Sequence, residues 1–266
     1  MSDSVGFLGL GHLGLALATN LLDRGYTLRV HNRTASKAGP LVARGAVRVE
    51  APVDAVTRGG VVVTVLWDDA SVEQTASDAF LEELGPGGLH IAMTTVSPEG
   101  ARRIAARHAA HGCLYLAAPV FGRPEAAAAR ELVVPISGAA SARERGRPIV
   151  EALGAQSIHD FGEDAGAAVM VKLAGNFLIG TAARSLAEAV DVAGQQGVDP
   201  RALVDMLTTT LLSAPIYRSY GQRLLAGAPP MQGGIIAKDV DLFRRTATQV
   251  ARPTPLADQL HEVVKG

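Results

Sequence analysis

Within the apolar stretch VMVKLAGNF, Val169 to Phe177, one lysine and one asparagine stand four residues apart. Read as a helix, this spacing stacks Lys172 and Asn176 on one face, so both side chains reach the same small volume and form a single site. A lysine buried in this way is a group that can hold and release a proton. Lys172 is the only charge between Ala165 and Ala183, and a helix that is apolar all round belongs in a core or in a membrane. A spanning segment needs ~18 or more apolar residues, but this run is rich in Gly and Ala and carries Lys and Asn at its middle, where insertion is unfavourable. The opening MSDSVGFLGLG has no basic region leading into an apolar core, so no signal sequence is expected. The segment reads as the central helix of a soluble protein, with a structural lysine paired to a distant carboxylate as the competing reading.

A second constellation lies near the start. FLGLGHLGLALATNLLDRG sets Gly9, Gly11 and Gly14 in the G-x-G-x-x-G spacing, after one strand pattern and opening one helix pattern. Such glycines allow a tight turn, close approach of backbone to a pyrophosphate and close helix packing, and the helix N-terminus offers unpaired N–H groups. Gly9, Gly11, His12, Leu13 and Gly14 are therefore candidate dinucleotide contacts, with Leu66 at the end of VVVTVLW counted among them. The next strand pattern ends in Asn32, Arg33 and Thr34, where binding of the NAD ribose calls for Asp or Glu. Arg33 and Thr34 can hold a ribose phosphate, and Lys37 adds a positive charge one turn later. The expectation is NADP(H) rather than NAD.

These residues need a scaffold. SVGFLGL, TLRVHN, AVRVE, VVVTVLW, GLHIAMTT, CLYLAAPV and ELVVPISG have strand character and alternate with helical patterns, the signature of a parallel sheet covered by helices. After Gly162 the strand patterns stop. The reading is an α/β chain: a Rossmann dinucleotide-binding domain over 1–162 and an all-α catalytic and dimerisation domain over 163–266. Charges balance at 25 Lys plus Arg against 26 Asp plus Glu, which gives no sign of nucleic acid or an anionic membrane as partner. The single Cys113 excludes an internal disulfide and reads as a buried thiol in a reducing, cytoplasmic setting. His108 and His111 are the closest histidine pair, read as lying on a solvated helix end, and no metal site is expected.

Five blocks in order resemble the β-hydroxyacid dehydrogenases, which include 3-hydroxyisobutyrate dehydrogenase and tartronate semialdehyde reductase. They are GLGHLG with NRT, MTTVSP at 93–98, LAAPVFG at 116–122, the block from Gly166 through Lys172 to Asn176, and KDV at 238–240. The resemblance implies hydride transfer between a nicotinamide and a small 3-hydroxyacid or semialdehyde. It makes Lys172 the general acid/base, with its pKa drawn down by burial among Ala168, Val169 and Leu173, and Asn176 its hydrogen-bonding neighbour. Thr95 is implied to touch nicotinamide and substrate, Lys238 to approach cofactor or substrate, and the chain to form a homodimer or larger homo-oligomer. Thr94 stands where the family more often has serine. The substrate loop departs further: its serine is Phe121, followed by Gly122 and Arg123. Arg123 or the Gly122 N–H then replaces the lost hydroxyl, or a less polar carbonyl or imine packs against Phe121. The alternatives are an imine reductase of the same fold, which often has Asp or Tyr in place of Lys172, a sugar-acid dehydrogenase acting on something like threonate, and a catalytically silent NADPH-binding interaction module. The chain ends in PLADQLHEVVKG, where relatives continue, which fits a truncation or a short variant.

Overall fold

The computed structural model describes residues 4–229 and 231–265. Its first part alternates β1 (Ser4–Leu8), α1 (His12–Asp23), β2 (Thr27–His31), α2 (Gly39–Val42), β3 (Val47–Arg48), β4 (Val61–Thr64), α3 (Asp69–Thr75), α4 (Asp78–Leu84), β5 (Leu89–Ala92), α5 (Pro98–Ala110), β6 (Leu114–Ala117), α6 (Pro124–Ala128), β7 (Leu132–Gly138), α7 (Ala140–Ala152) and β8 (Ala155–Asp160). Helices α8 (Ala165–Gln195), α9 (Pro200–Thr209), α10 (Pro215–Leu225), α11 (Gly234–Gln249) and α12 (Pro255–Val264) follow. The α/β reading, with a Rossmann sheet first and helices after it, holds. The chain divides into two compact units, Met1–Lys172 and Leu173–Gly266, and α8 crosses the division.

The eight strands lie in the order β3-β2-β1-β4-β5-β6-β7-β8. Two features correct the sequence reading. The sheet is not wholly parallel, because β7 runs antiparallel to β6 through Leu116 opposite Gly138 and Ala117 opposite Ser137. Also, β8 pairs parallel with β7 from Leu132 and Ala155 onward. Its sequence AQSIHD is partly to fully exposed along its length, so it lacks the apolar run or alternation that marks a strand. Strands buried on both faces behave as expected: Val5, Phe7, Val30, Val63, Ile91, Leu116 and Ile136 share one core with Leu17, Ala18 and Leu21 of α1.

By length and composition alone α8 could cross a membrane, and 44% of its most apolar window is buried within the chain. Some of its apolar side chains find protein partners. Phe177 packs on Ile236, Val240, Leu260 and Val264, and Leu186 and Val190 pack on Val204.

The reading of His108 as solvated is overturned: it is fully buried, because it lies on the face of α5 that carries Ala101 and Ile104 into the core. Its Nδ1 lies 2.7 Å from the Ile104 carbonyl, its Nε2 lies 2.8 Å from His90 Nδ1, and His90 Nε2 lies 2.8 Å from Thr64 Oγ1. A carbonyl only accepts, so His108 Nδ1 carries the proton, His90 Nδ1–H donates to His108, and the Thr64 hydroxyl donates to His90. This one-way chain satisfies every ring nitrogen with both histidines neutral. Cys113 is buried as expected, its thiol donating to the carbonyls of Leu81 and Gly85 and pushed up by burial.

Burial drives His108 down to about 4 and His90 well below its ordinary value. Folded values below the unfolded 6.5 mean that the unfolded chain takes up protons first, so this stability is complete above pH 6.5 and is lost as pH falls toward 4. Urea unfolding at pH 7 and pH 5 is expected to show a loss of about 2 kcal/mol from His108, with a further loss in the same direction from His90, and a smaller loss in His90→Gln/His108→Gln. Coincident unfolding curves at the two pH values would contradict this.

Candidate active site

The glycine loop comes from sterics. Gly9 has φ +98°, and a Cβ there would lie 2.1 Å from the Val65 carbonyl oxygen. A Cβ on Gly14 would lie 2.0 Å from the Gly9 oxygen, whereas one on Gly11 would meet nothing within 4 Å. The first two positions thus close the turn between β1, β4 and α1, and the third faces open space that a side chain would fill. No side chain caps α1 and no acid sits in its first turn, so the N–H groups of His12 and Leu13 face an anion-ready terminus. This cradle fits the pyrophosphate of a dinucleotide.

At the end of β2, Asn32 braces the cradle. Its Oδ1 accepts from Leu10 N at 2.8 Å and its Nδ2 donates to Thr34 O at 2.9 Å. Arg33, Thr34 and Lys37 are exposed, and neither Arg33 nor Lys37 has an ion-pair partner among the described residues. At the ends of β4 and β5, Thr94 Oγ1 accepts from Leu66 N at 2.8 Å, with Thr94 itself buried. Asp69 accepts from Ser97 N at 2.7 Å, joining the two loops again. Thr95 sits half-buried between these contacts.

The start of α8 is anchored twice. Ser137 Oγ, on β7, accepts from Ala168 N at 3.1 Å and donates to Ala165 O at 3.2 Å. Asp164 takes both Nε and Nη2 of Arg102, at 2.8 and 2.7 Å, and accepts from Gly166 N at 3.0 Å. The Arg102 guanidinium, with the Gly166 N–H, holds the Asp164 carboxyl below its ordinary value. One turn beyond Ala168, Lys172 is 8% exposed and its Nζ lies 4.4 Å from the centre of the Phe121 ring. Gly122 and Arg123 are exposed at the start of α6.

In the second unit Asn176 Nδ2 donates to Asp239 Oδ2 at 2.5 Å, and Lys238 Nζ lies 2.9 Å from Asp239 Oδ1. Asp239 is fully buried, Asn176 is 7% exposed and Lys238 is mostly covered. A carboxylate only accepts, so the amide nitrogen must face it, which fixes the orientation of the Asn176 amide. Asp239 escaped the sequence reading, though it stands within KDV; an acid beside a lysine inside the apolar stripe of α11 was the available signal. Thr94 and Ser137 were also not singled out as braces, and nothing local marks them.

Residues 4–162 match the NAD binding domain of 6-phosphogluconate dehydrogenase, and residues 166–266 match the NAD-binding domain of NADP-dependent 3-hydroxyisobutyrate dehydrogenase. The chain belongs to the β-hydroxyacid dehydrogenase family. A relative in Pseudomonas aeruginosa, an NAD-dependent L-serine dehydrogenase, is 32% identical over 95% of this chain and 88% of its own. The fold is similar to that of 3-hydroxyisobutyrate dehydrogenase from Salmonella typhimurium, with TM-score 0.86 and 26% identity over 99% of this chain and 93% of that one. An imine reductase from Streptomyces aurantiacus gives TM-score 0.71 and 25% identity over 98% and 93%. As a β-hydroxyacid dehydrogenase homologue the protein is an oxidoreductase built on NAD-binding domains.

Removing the buried carboxylate from this β-hydroxyacid dehydrogenase leaves the Lys238 ammonium and the Asn176 amide without their shared acceptor. Asp239→Ala is expected to lower unfolding free energy by about 3 kcal/mol or more, measured by urea denaturation. A loss under about 1 kcal/mol, the scale of an exposed pair, would show that the cluster does not hold α8 to α11.

Proposed function

We propose that the protein is an NADP-dependent oxidoreductase acting on a small 3-hydroxyacid or its semialdehyde, with Lys172 as general acid and base. The observation that carries this reading is the buried Lys172 ammonium, one helical turn from an asparagine whose amide is oriented by a buried carboxylate. A bound nicotinamide supplies or accepts the hydride. Lys172 donates its proton to the carbonyl oxygen in reduction and takes it back in oxidation. Asn176 holds that oxygen or the lysine by hydrogen bonding; Thr95 is assigned to nicotinamide and substrate, and Lys238 to cofactor or substrate, by the family resemblance alone. Gly9, Gly11, His12, Leu13 and Gly14 hold the pyrophosphate, with Leu66 beside them.

The cofactor preference rests on the end of β2. Arg33 and Lys37 are exposed cations without an ion-pair partner among the described residues, and no acid stands where a ribose diol would be bound. The bacterial relative named for NAD makes this a property of these residues, not of the family. Substrate carboxylate binding falls to Arg123 and the Gly122 N–H, since Phe121 has no hydroxyl. The higher TM-score to the hydroxyisobutyrate enzyme than to the imine reductase supports the hydroxyacid side of the choice. The division of labour is an NADP-binding domain through residue 162 and a catalytic, dimerising domain from 163, consistent with family matches that break between 162 and 166. Leu178 and Val192, 64% and 65% exposed on α8, support a homodimer, which sedimentation velocity would refute by returning a monomer.

Turnover of carboxylated aldehydes, neutral aldehydes and cyclic imines with NADPH and with NADH tests the reading. Carboxylated aldehydes with NADPH are expected to be preferred. Arg33→Ala should lower NADPH affinity about tenfold, a change of about 1.4 kcal/mol, with NADH affinity unmoved. Lys172→Ala should lower kcat by about 10² or more while NADPH still binds. Full activity in Lys172→Ala would sink the acid/base assignment, and NADPH binding without turnover of any substrate would favour the silent module.

A further inference from the structure

Phe121 occupies the position where the substrate loop loses its hydroxyl, and its surroundings give the ring a task of its own. The backbone is pinned, because Phe121 N donates to Val133 O at 2.8 Å and Val133 N donates to Phe121 O at 3.0 Å. Val133 lies on β7, four residues before Ser137, which grips the first turn of α8. One strand therefore sets both the ring and the helix that delivers the ammonium. The Lys172 Nζ stands 4.4 Å from the ring centre, within the roughly 6 Å at which an aromatic face attracts a cation, and at 8% exposure little water competes.

A general acid must keep a cation on a flexible four-carbon stem in one place without locking up its protons. The ring quadrupole attracts the charge itself and fixes no N–H direction. We propose that Phe121 is a positioning residue, which holds the Lys172 ammonium against its ring face and so sets the lysine for proton transfer. Its ring is then a ligand of the acid and not of the substrate. The catalytic part of this inference rests on the assignment of Lys172 as the general acid.

The test replaces Phe121 by phenylalanines carrying one, two and three ring fluorines, which drain the quadrupole stepwise while nearly keeping the ring's shape, with Phe121→Leu as the endpoint and Phe121→Tyr as the conservative rescue. The expected result is a stepwise fall in kcat, reaching tenfold or more in Phe121→Leu, with KM within twofold and recovery in Phe121→Tyr. A trifluorinated enzyme with the kcat of the parent overturns the positioning role. Urea midpoints of the same series, in the parent and in Lys172→Met, separate the two assumptions. If Lys172→Met keeps its turnover, the general-acid assignment fails; a midpoint that falls with fluorination only when Lys172 is present then still establishes the ammonium–ring contact. Midpoints that ignore fluorination in both backgrounds overturn the contact itself.

Discussion

An ammonium group taken out of water on an apolar helix is the constraint around which this chain is arranged. Desolvating a charge costs several kcal/mol unless other groups compensate it, and Lys172 is 8% exposed. An aromatic face 4.4 Å away is part of that compensation. That contact explains why the beginning of α8 is held so firmly. The two-sided Ser137 contact and the forked Arg102–Asp164 pair fix the helix axis and its rotation, so the ring and the ammonium meet without either being free to swing away.

The Rossmann half meets a different constraint, a turn tight enough for backbone to approach the pyrophosphate that we assign to it. Its answer is steric at Gly9 and Gly14 and electrostatic at the uncapped N-terminus of α1. The loops behind that cradle are tied by short polar braces, Asn32 to Leu10 and Thr94 to Leu66, which join the carboxyl end of β1 to that of β2 and the carboxyl end of β4 to that of β5. Beneath them the Thr64–His90–His108 chain is satisfied in one proton arrangement only. A buried polar network of that kind rigidifies when complete and is unfavourable when broken.

In the helical half, Asp239 plays a similar part. Fully buried between Asn176 and Lys238, it stabilises only because both partners are present, since an unpaired buried carboxylate would be strongly unfavourable. It thereby couples the register of α11 to that of α8 and orients the Asn176 amide.

The sequence by itself determined the α/β class, the order of Rossmann and helical halves, the glycine cradle, and the placement of Lys172 and Asn176 on one helix. Each of these depends on local rules: period of apolar residues, turn sterics and helical spacing. Tertiary structure decided the rest. The antiparallel β6–β7 pairing and the edge strand β8 were not legible, because an exposed strand needs no apolar pattern and strand direction is set by pairing partners far along the chain. His108 read as solvated because helix burial depends on which face meets the sheet. The contact of Phe121 with Lys172, and Asp239 altogether, were not legible, because a side chain's partner across 51 or 63 residues is chosen only when the chain has folded. Spacing can state that two groups share a helix face; it cannot state what stands opposite that face.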